Sequence, residues 1–66
     1  MRLTLNGKVR EVESGAVLSE LLLSLQLAEK LVLVELYGQA VQRADFPRTR
    51  LAESDEIEIV RMVGGG

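Results

Sequence analysis

Leu18, Leu21, Leu22 and Leu25 recur at i, i+3, i+4 and i+7, so they share one face of an α-helix. This stripe constrains the fold more than any other feature. In a chain of 66 residues, whatever covers it must be built from the segments on either side. Those segments have a different period. RLTLNGKVREV, Arg2 to Val12, alternates Leu3 and Leu5 with Arg2 and Thr4 and breaks at Asn6-Gly7. That dipeptide suits a type I′ hairpin turn, whose two central residues both need positive φ. LVLVELYG, Leu31 to Gly38, is apolar and β-branched with little alternation, as in a strand covered on both faces or central in its sheet. QAVQR then reads as a short return strand. ADFPRTRLAESDE is irregular, since Pro47 excludes a central strand, and Phe46 is expected at the edge of the core. In EIEIVRMV, Ile57 and Ile59 are expected to point inward and Glu56 and Glu58 outward.

The resulting order is strand, strand, helix, strand, short strand, strand. A leucine-striped helix set between strands packs across one face of a mixed sheet, which makes the fold class α+β in two layers, the β-grasp (ubiquitin-like) arrangement. Residues 1–63 are expected to form this domain and residues 64–66 a flexible C-terminal glycine tail. Gly15 marks the entry to the helix and Ser14 is the candidate N-cap. No capping box is expected there, because Val17 stands where Glu or Gln is wanted. Leu23 falls off the apolar face, which points to a second contact.

Composition narrows the function. The chain has no Cys and no His, so it offers neither a disulfide nor a thiolate–imidazole metal site, and the usual nucleophile–base pairs cannot be assembled. A domain of this size buries only about 60% of the surface its unfolded chain exposes, which leaves little room for an enclosed substrate pocket. These absences favour a carrier, adaptor or subunit over an enzyme. The net charge is −2, with no basic stripe or aromatic platform, so nucleic acid is not an expected partner. No apolar run approaches the roughly 20 residues of a membrane helix, and MRLTLNGK lacks the apolar core of a signal peptide. The expected location is cytoplasmic, away from membranes.

The last strand runs straight into Gly64, Gly65 and Gly66. Glycine backbone can pass through a channel too narrow for side chains, and three extended residues reach roughly 10 Å. The terminal carboxylate is a poor electrophile until its oxygen attacks the α-phosphate of ATP. The resulting acyl-adenylate has a good leaving group, and a sulfur nucleophile can then take the acyl carbon. A glycine carbonyl is the least hindered acyl centre a chain can present. The bland reading of such an end is a frayed terminus.

AESDEIEIVRMVGGG, with the LNGK turn, the SGAVLSELL helix start and the VELYGQAVQR segment, resembles the ThiS family, the small sulfur carriers of bacterial thiazole (thiamine) biosynthesis. The likeness runs in order through essentially the whole chain. It implies that a ThiF-type adenylyltransferase, using ATP and magnesium, adenylates Gly66. A cysteine desulfurase relay then converts Gly66 to a thiocarboxylate, and the thiazole synthase ThiG receives the sulfur. The chain itself is implied to bind no cofactor and to act as substrate and carrier, not catalyst. Gly65 and Gly66 match the family's terminal pair, and Gly64 extends it. Four scaffold positions depart from the family pattern. Tyr37-Gly38 stands where Asn-Gly is frequent, Val41-Gln42-Arg43 where VPR is, Ser54-Asp55 where Gly-Asp is, and Val17 where a Thr caps the helix. They put local turn geometry in question more than the tail chemistry.

Other readings share these features. A MoaD-like small subunit of molybdopterin synthase has the same fold and tail, though that family runs longer. A ubiquitin-like modifier would be joined to lysines through Gly66, and an interaction module would carry an inert tail. Elsewhere, Glu53, Asp55, Glu56 and Glu58 read as a solvated strand edge, and Arg43, Arg48 and Arg50 as surface charges. Met62 and Val63 end a strand that leaves the domain, and Met is favoured at adaptable binding surfaces. They are expected to contact the activating partner, the alternative being that they pack on the helix.

Overall fold

The computed structural model describes residues 1–62 of the chain. Two hairpins and a last strand build one five-stranded sheet in the order β2-β1-β5-β3-β4, from β1 (Arg2–Leu5), β2 (Lys8–Glu11), β3 (Val32–Leu36), β4 (Gln39–Val41) and β5 (Glu56–Arg61). β5 is central, parallel to β1 and antiparallel to β3. The sheet is therefore mixed, and helix α1 (Leu18–Ser24) lies across one face of it.

Asn6 and Gly7 both adopt positive φ, at 50° and 83°, and close β1 onto β2 with Leu5 opposite Lys8, as the Asn-Gly pair requires. Asn6 also does something its turn role does not predict. Its side chain donates to the Ile59 carbonyl at 3.2 Å and accepts from the Ile59 N–H at 2.8 Å. One amide thereby extends the parallel β1–β5 pairing past the end of β1.

The core is Leu3, Leu18, Leu21, Leu22, Val32, Val34, Phe46, Leu51 and Ile57, with Leu25, Leu27, Ile59 and Val41 among the partly buried side chains around it. The leucine stripe packs on the inward residues of β1, β3 and β5, which is how a short helix and a half-covered sheet satisfy each other. Phe46 is not at the core edge. It is 1% exposed and sits in a 3-10 segment, Arg43–Arg48, packed against α1. Backbone bonds from Leu18 N–H to the Thr49 carbonyl and from Leu51 N–H to the Ala16 carbonyl lock that segment to the start of the helix.

The helix begins later than Ser14. Val17 is its N-cap, and the Glu20 carboxylate accepts the Val17 N–H at 2.9 Å. This is the half of a capping box that a valine allows, since valine has no side-chain acceptor for the reciprocal bond. At the other end, Gln26 N–H bonds the Leu23 carbonyl and Leu27 N–H the Leu22 carbonyl, both at 3.0 Å, which is a Schellman closure. Gln26 is left-handed at φ 59°, where a side chain costs about 1 kcal/mol relative to glycine. Gln26→Gly should raise the melting temperature by about 4–8 °C per kcal/mol recovered, read in a thermal melt.

Two of the scaffold positions that depart from the family pattern are explained by Asp55. Ser54 and Tyr37 both have positive φ, at 71° and 51°, in turns where glycine or asparagine would be unstrained. Asp55, 9% exposed, accepts the Tyr37 hydroxyl at 2.8 Å on one carboxylate oxygen and the Ala52 N–H at 2.8 Å on the other. Ser54 N–H donates to the Arg2 carbonyl at 2.7 Å. Asp55 thus fastens the turn before β5 to the β3–β4 turn. Asp55 is therefore not solvated, whereas Glu56 and Glu58 are exposed, and they stand on the central strand rather than at a sheet edge.

The same contact raises the Tyr37 phenol above its ordinary value, chiefly because its proton is shared with Asp55, then through burial and the negative charges of Asp55 and Glu56. A pKa raised in the folded state stabilises the fold below the unfolded value of about 10 and loses that contribution as pH rises through the folded value. The stability advantage of wild type over Tyr37→Phe should therefore be constant near neutrality and shrink above about pH 10, as urea melts across that range would show. With one Tyr and no Trp in the chain, tyrosine absorbance follows this group alone.

Candidate functional site: the exit of the central strand

β5 combines a charged half and an apolar half on the face that α1 does not cover. Glu56 and Glu58 are followed along that face by Val60 and Met62, 53% and 51% exposed. On the covered face, Ile57 is 1% exposed and Ile59 partly buried, so the expected inward pair is the observed one. The ladder with β3 runs from Leu36 opposite Ile57 to Val32 opposite Arg61, and Met62 N–H extends it by donating to the Leu31 carbonyl at 2.8 Å. β5 is held by neighbours on both sides near its start, so its direction at Met62 is set by the sheet.

Met62 lies at that exit with its side chain half exposed, off the helix-covered core. The other expected site residues, Val63, Gly64, Gly65 and Gly66, lie outside the described residues. β3 lies between β5 and β4, so of the two readings of its apolar run the interior position in the sheet holds and the cover on both faces does not. Val32 and Val34 are buried, but Leu33 is 42% exposed, so the strand is covered on one face only. Leu23 is 77% exposed on the outer side of α1. Arg43, Arg48 and Arg50 are exposed, as expected of surface charges.

Among the described residues, no group of three or more acidic, Cys or His side chains is arranged to hold a metal ion. An open cleft of about 620 Å³ lies between β2 and α1, lined by Arg10, Glu13, Glu20, Ser24 and their neighbours. It contains hydroxyls and carboxylates but no nitrogen base, and the Ser24 hydroxyl is already donated to the Leu21 carbonyl at 2.8 Å. No helix of the described residues is long and apolar enough to cross a membrane.

A mixed sheet in this order, with one helix laid across it and a central last strand leading to terminal glycines, defines a small β-grasp protein of the ubiquitin-like class. The chain belongs to the ThiS family, whose sequence pattern matches residues 3–66. It is 38% identical over 65 residues to the sulfur carrier protein ThiS of Bacillus subtilis, covering 97% of this chain and 98% of that one. It is also 38% identical over 66 residues to a thiazole synthase of Magnetococcus marinus, of which it spans 20% of the length. The crystal structure of the thiamine biosynthesis protein ThiS from Geobacter metallireducens superposes with a TM-score of 0.85 at 36% identity, with both chains covered in full. The expected β-grasp fold is therefore the observed one.

Proposed function

We propose that this chain is a sulfur carrier of thiamine biosynthesis whose reacting group is the carboxylate of Gly66. The observation that carries the reading is the family match, which spans residues 3–66 and so includes all three glycines. An oxygen of the Gly66 carboxylate attacks the α-phosphorus of ATP in a ThiF-type adenylyltransferase, pyrophosphate leaves, and magnesium balances the phosphate charge. A persulfide of the cysteine desulfurase relay attacks the acyl carbon and AMP leaves with the original oxygen. A thiol then cleaves the acyl disulfide, leaving a thiocarboxylate on Gly66 and a disulfide on the thiol side. The carrier supplies the acyl group, its reach and its docking surface, and Met62 and Val63 contact the activating enzyme as the glycines enter it.

The Magnetococcus relative named as a thiazole synthase contains a segment like this chain, which favours a thiazole synthase as acceptor over a molybdopterin synthase. Intact mass spectrometry tests the proposal. The protein is incubated with ATP, magnesium, the adenylyltransferase and a cysteine-fed desulfurase. A gain equal to exchanging one oxygen for one sulfur is expected. No gain, with enzymes active on another carrier, would refute it. A lysine-linked product would instead identify a conjugating modifier.

A further inference from the structure

Asn6 is the chain's single asparagine, and glycine follows it. Gly7 has no Cβ to keep its nitrogen from the carbonyl carbon of the Asn6 side chain, so in a free chain the two can meet. Three hydrogen bonds to β5 oppose that meeting in the fold. The Asn6 N–H donates to the Ile57 carbonyl at 2.9 Å, Nδ2 donates to the Ile59 carbonyl at 3.2 Å, and Oδ1 accepts from the Ile59 N–H at 2.8 Å. Ile59 stands opposite Val34 in the ladder with β3, yet its N–H and carbonyl both turn toward β1. There the main chain has already left for the turn, and the Asn6 amide takes the place of the next peptide group. The turn is a second restraint. Ring closure needs Asn6 Cβ and the Gly7 nitrogen on the same side of the Cα–C bond. The φ values of 50° and 83° belong to a type I′ turn, which holds the two apart.

We propose that Asn6-Gly7 is a site of spontaneous modification: the Asn6 amide is lost when the β1–β5 seam opens, and the products cannot restore the same seam. The inference goes beyond the sulfur-carrier reading and does not depend on it. In the opened chain the Gly7 nitrogen attacks Asn6 Cγ. A new C–N bond forms, the Cγ–Nδ2 bond breaks, and Nδ2 leaves as ammonia with the Gly7 N–H proton. Water then opens the five-membered succinimide. It adds to one of the two ring carbonyls, the bond from that carbon to the ring nitrogen breaks, and the nitrogen takes up a proton. No oxidant or cofactor takes part. Asn6 and Gly7 are both exposed, so water reaches the ring. One direction of opening leaves an aspartate, the other an isoaspartate whose main chain runs through Cγ. The aspartate keeps an acceptor for the Ile59 N–H but sets a second acceptor oxygen against the Ile59 carbonyl, where Nδ2 had donated. The isoaspartate adds a methylene to the main chain of a turn that holds Leu5 opposite Lys8. Either product removes a donor from the strand that leads to the glycines.

The protein is held at mildly alkaline pH, folded in buffer and unfolded in guanidinium chloride. Intact mass follows the exchange of amide for acid, and peptide mapping places it at Asn6 rather than at Gln26, Gln39 or Gln42. Two side-chain hydrogen bonds of ordinary net strength should slow the folded chain by at least about 30-fold relative to the unfolded one. Ion exchange separates the more acidic products, which are returned to buffer. The isoaspartate form should melt about 5 °C or more below wild type and lose hydrogen-exchange protection at the Ile59 N–H. Its failure to refold is the same result in stronger form. Asn6→Asp isolates the aspartate product and should lower the melting temperature by less. Asn6→Gly keeps the turn and removes the amide, so its mass should stay constant while the Ile59 N–H exchanges faster. Equal rates in the folded and unfolded chains would overturn the proposal, as would an unfolded chain that does not convert. Wild-type stability and Ile59 protection in the isoaspartate form, or wild-type protection in Asn6→Gly, would overturn it equally.

Discussion

Deleting Gly66 should abolish sulfur loading while leaving the fold intact. The reasoning is geometric. The deletion moves the carboxylate back by one residue, about 3.5 Å, and misplacement by even 1 Å at a reacting centre can cost about 100-fold. Every hydrogen bond described for the domain ends at or before Met62, so the melting temperature should stay within error of wild type. Adding one alanine after Gly66 should be as damaging, because the new end carries a Cβ and sits about 3.5 Å too far along the channel. In intact mass spectrometry the wild-type chain is expected to exchange one oxygen for sulfur and both variants to remain at their starting mass. Equal loading of wild type and truncation would place the reacting group elsewhere.

Phe46→Ala should bring the domain close to unfolding. Phe46 is 1% exposed and the chain's single phenylalanine, so its removal opens a cavity with no neighbouring aromatic to fill it. Such truncations cost about 3–5 kcal/mol. At about 0.05–0.15 kcal/mol per residue, a domain of this length has about 3–10 kcal/mol in total. Urea unfolding should show a midpoint shifted to a small fraction of the wild-type value. Phe46→Leu keeps most of the volume and should cost considerably less. A loss below about 1 kcal/mol for the alanine variant would mean that the Arg43–Arg48 segment is not integral to the core.

Local chemistry makes part of this protein readable from its residues alone. The Asn6-Gly7 turn, the leucine stripe and the inward Ile57 are set by φ preference and by period, which act over a few residues and leave their mark in spacing. Together they are enough for the β-grasp class. The helix start is hidden because its cap is not a polar residue: Glu20 reaches back to Val17, and Ser14 takes no part. Asp55 reads as one of four surface carboxylates, for nothing in SDE indicates that Tyr37, eighteen residues away in the chain, will bring a hydroxyl to it. The left-handed Tyr37, bonded to Asp55, and the left-handed Ser54, bonded through its N–H to the Arg2 carbonyl, are equally hidden, since these contacts are remote in the chain.

The candidate site divides in the same way. The run Gly64-Gly65-Gly66 belongs to the sequence by itself, because three consecutive glycines need no fold to be read. So does the order of elements, which follows from where the hydrophobic period changes. Only the tertiary structure decided that β5 is the central strand, that Leu33 lies opposite Val60 and Glu35 opposite Glu58, and that the apolar face of β3 is left half uncovered. Strand pairing joins residues more than twenty positions apart. Its register is settled by the packing of α1 and Phe46 on one side of the sheet, and which residues remain on the other side is a consequence of that packing.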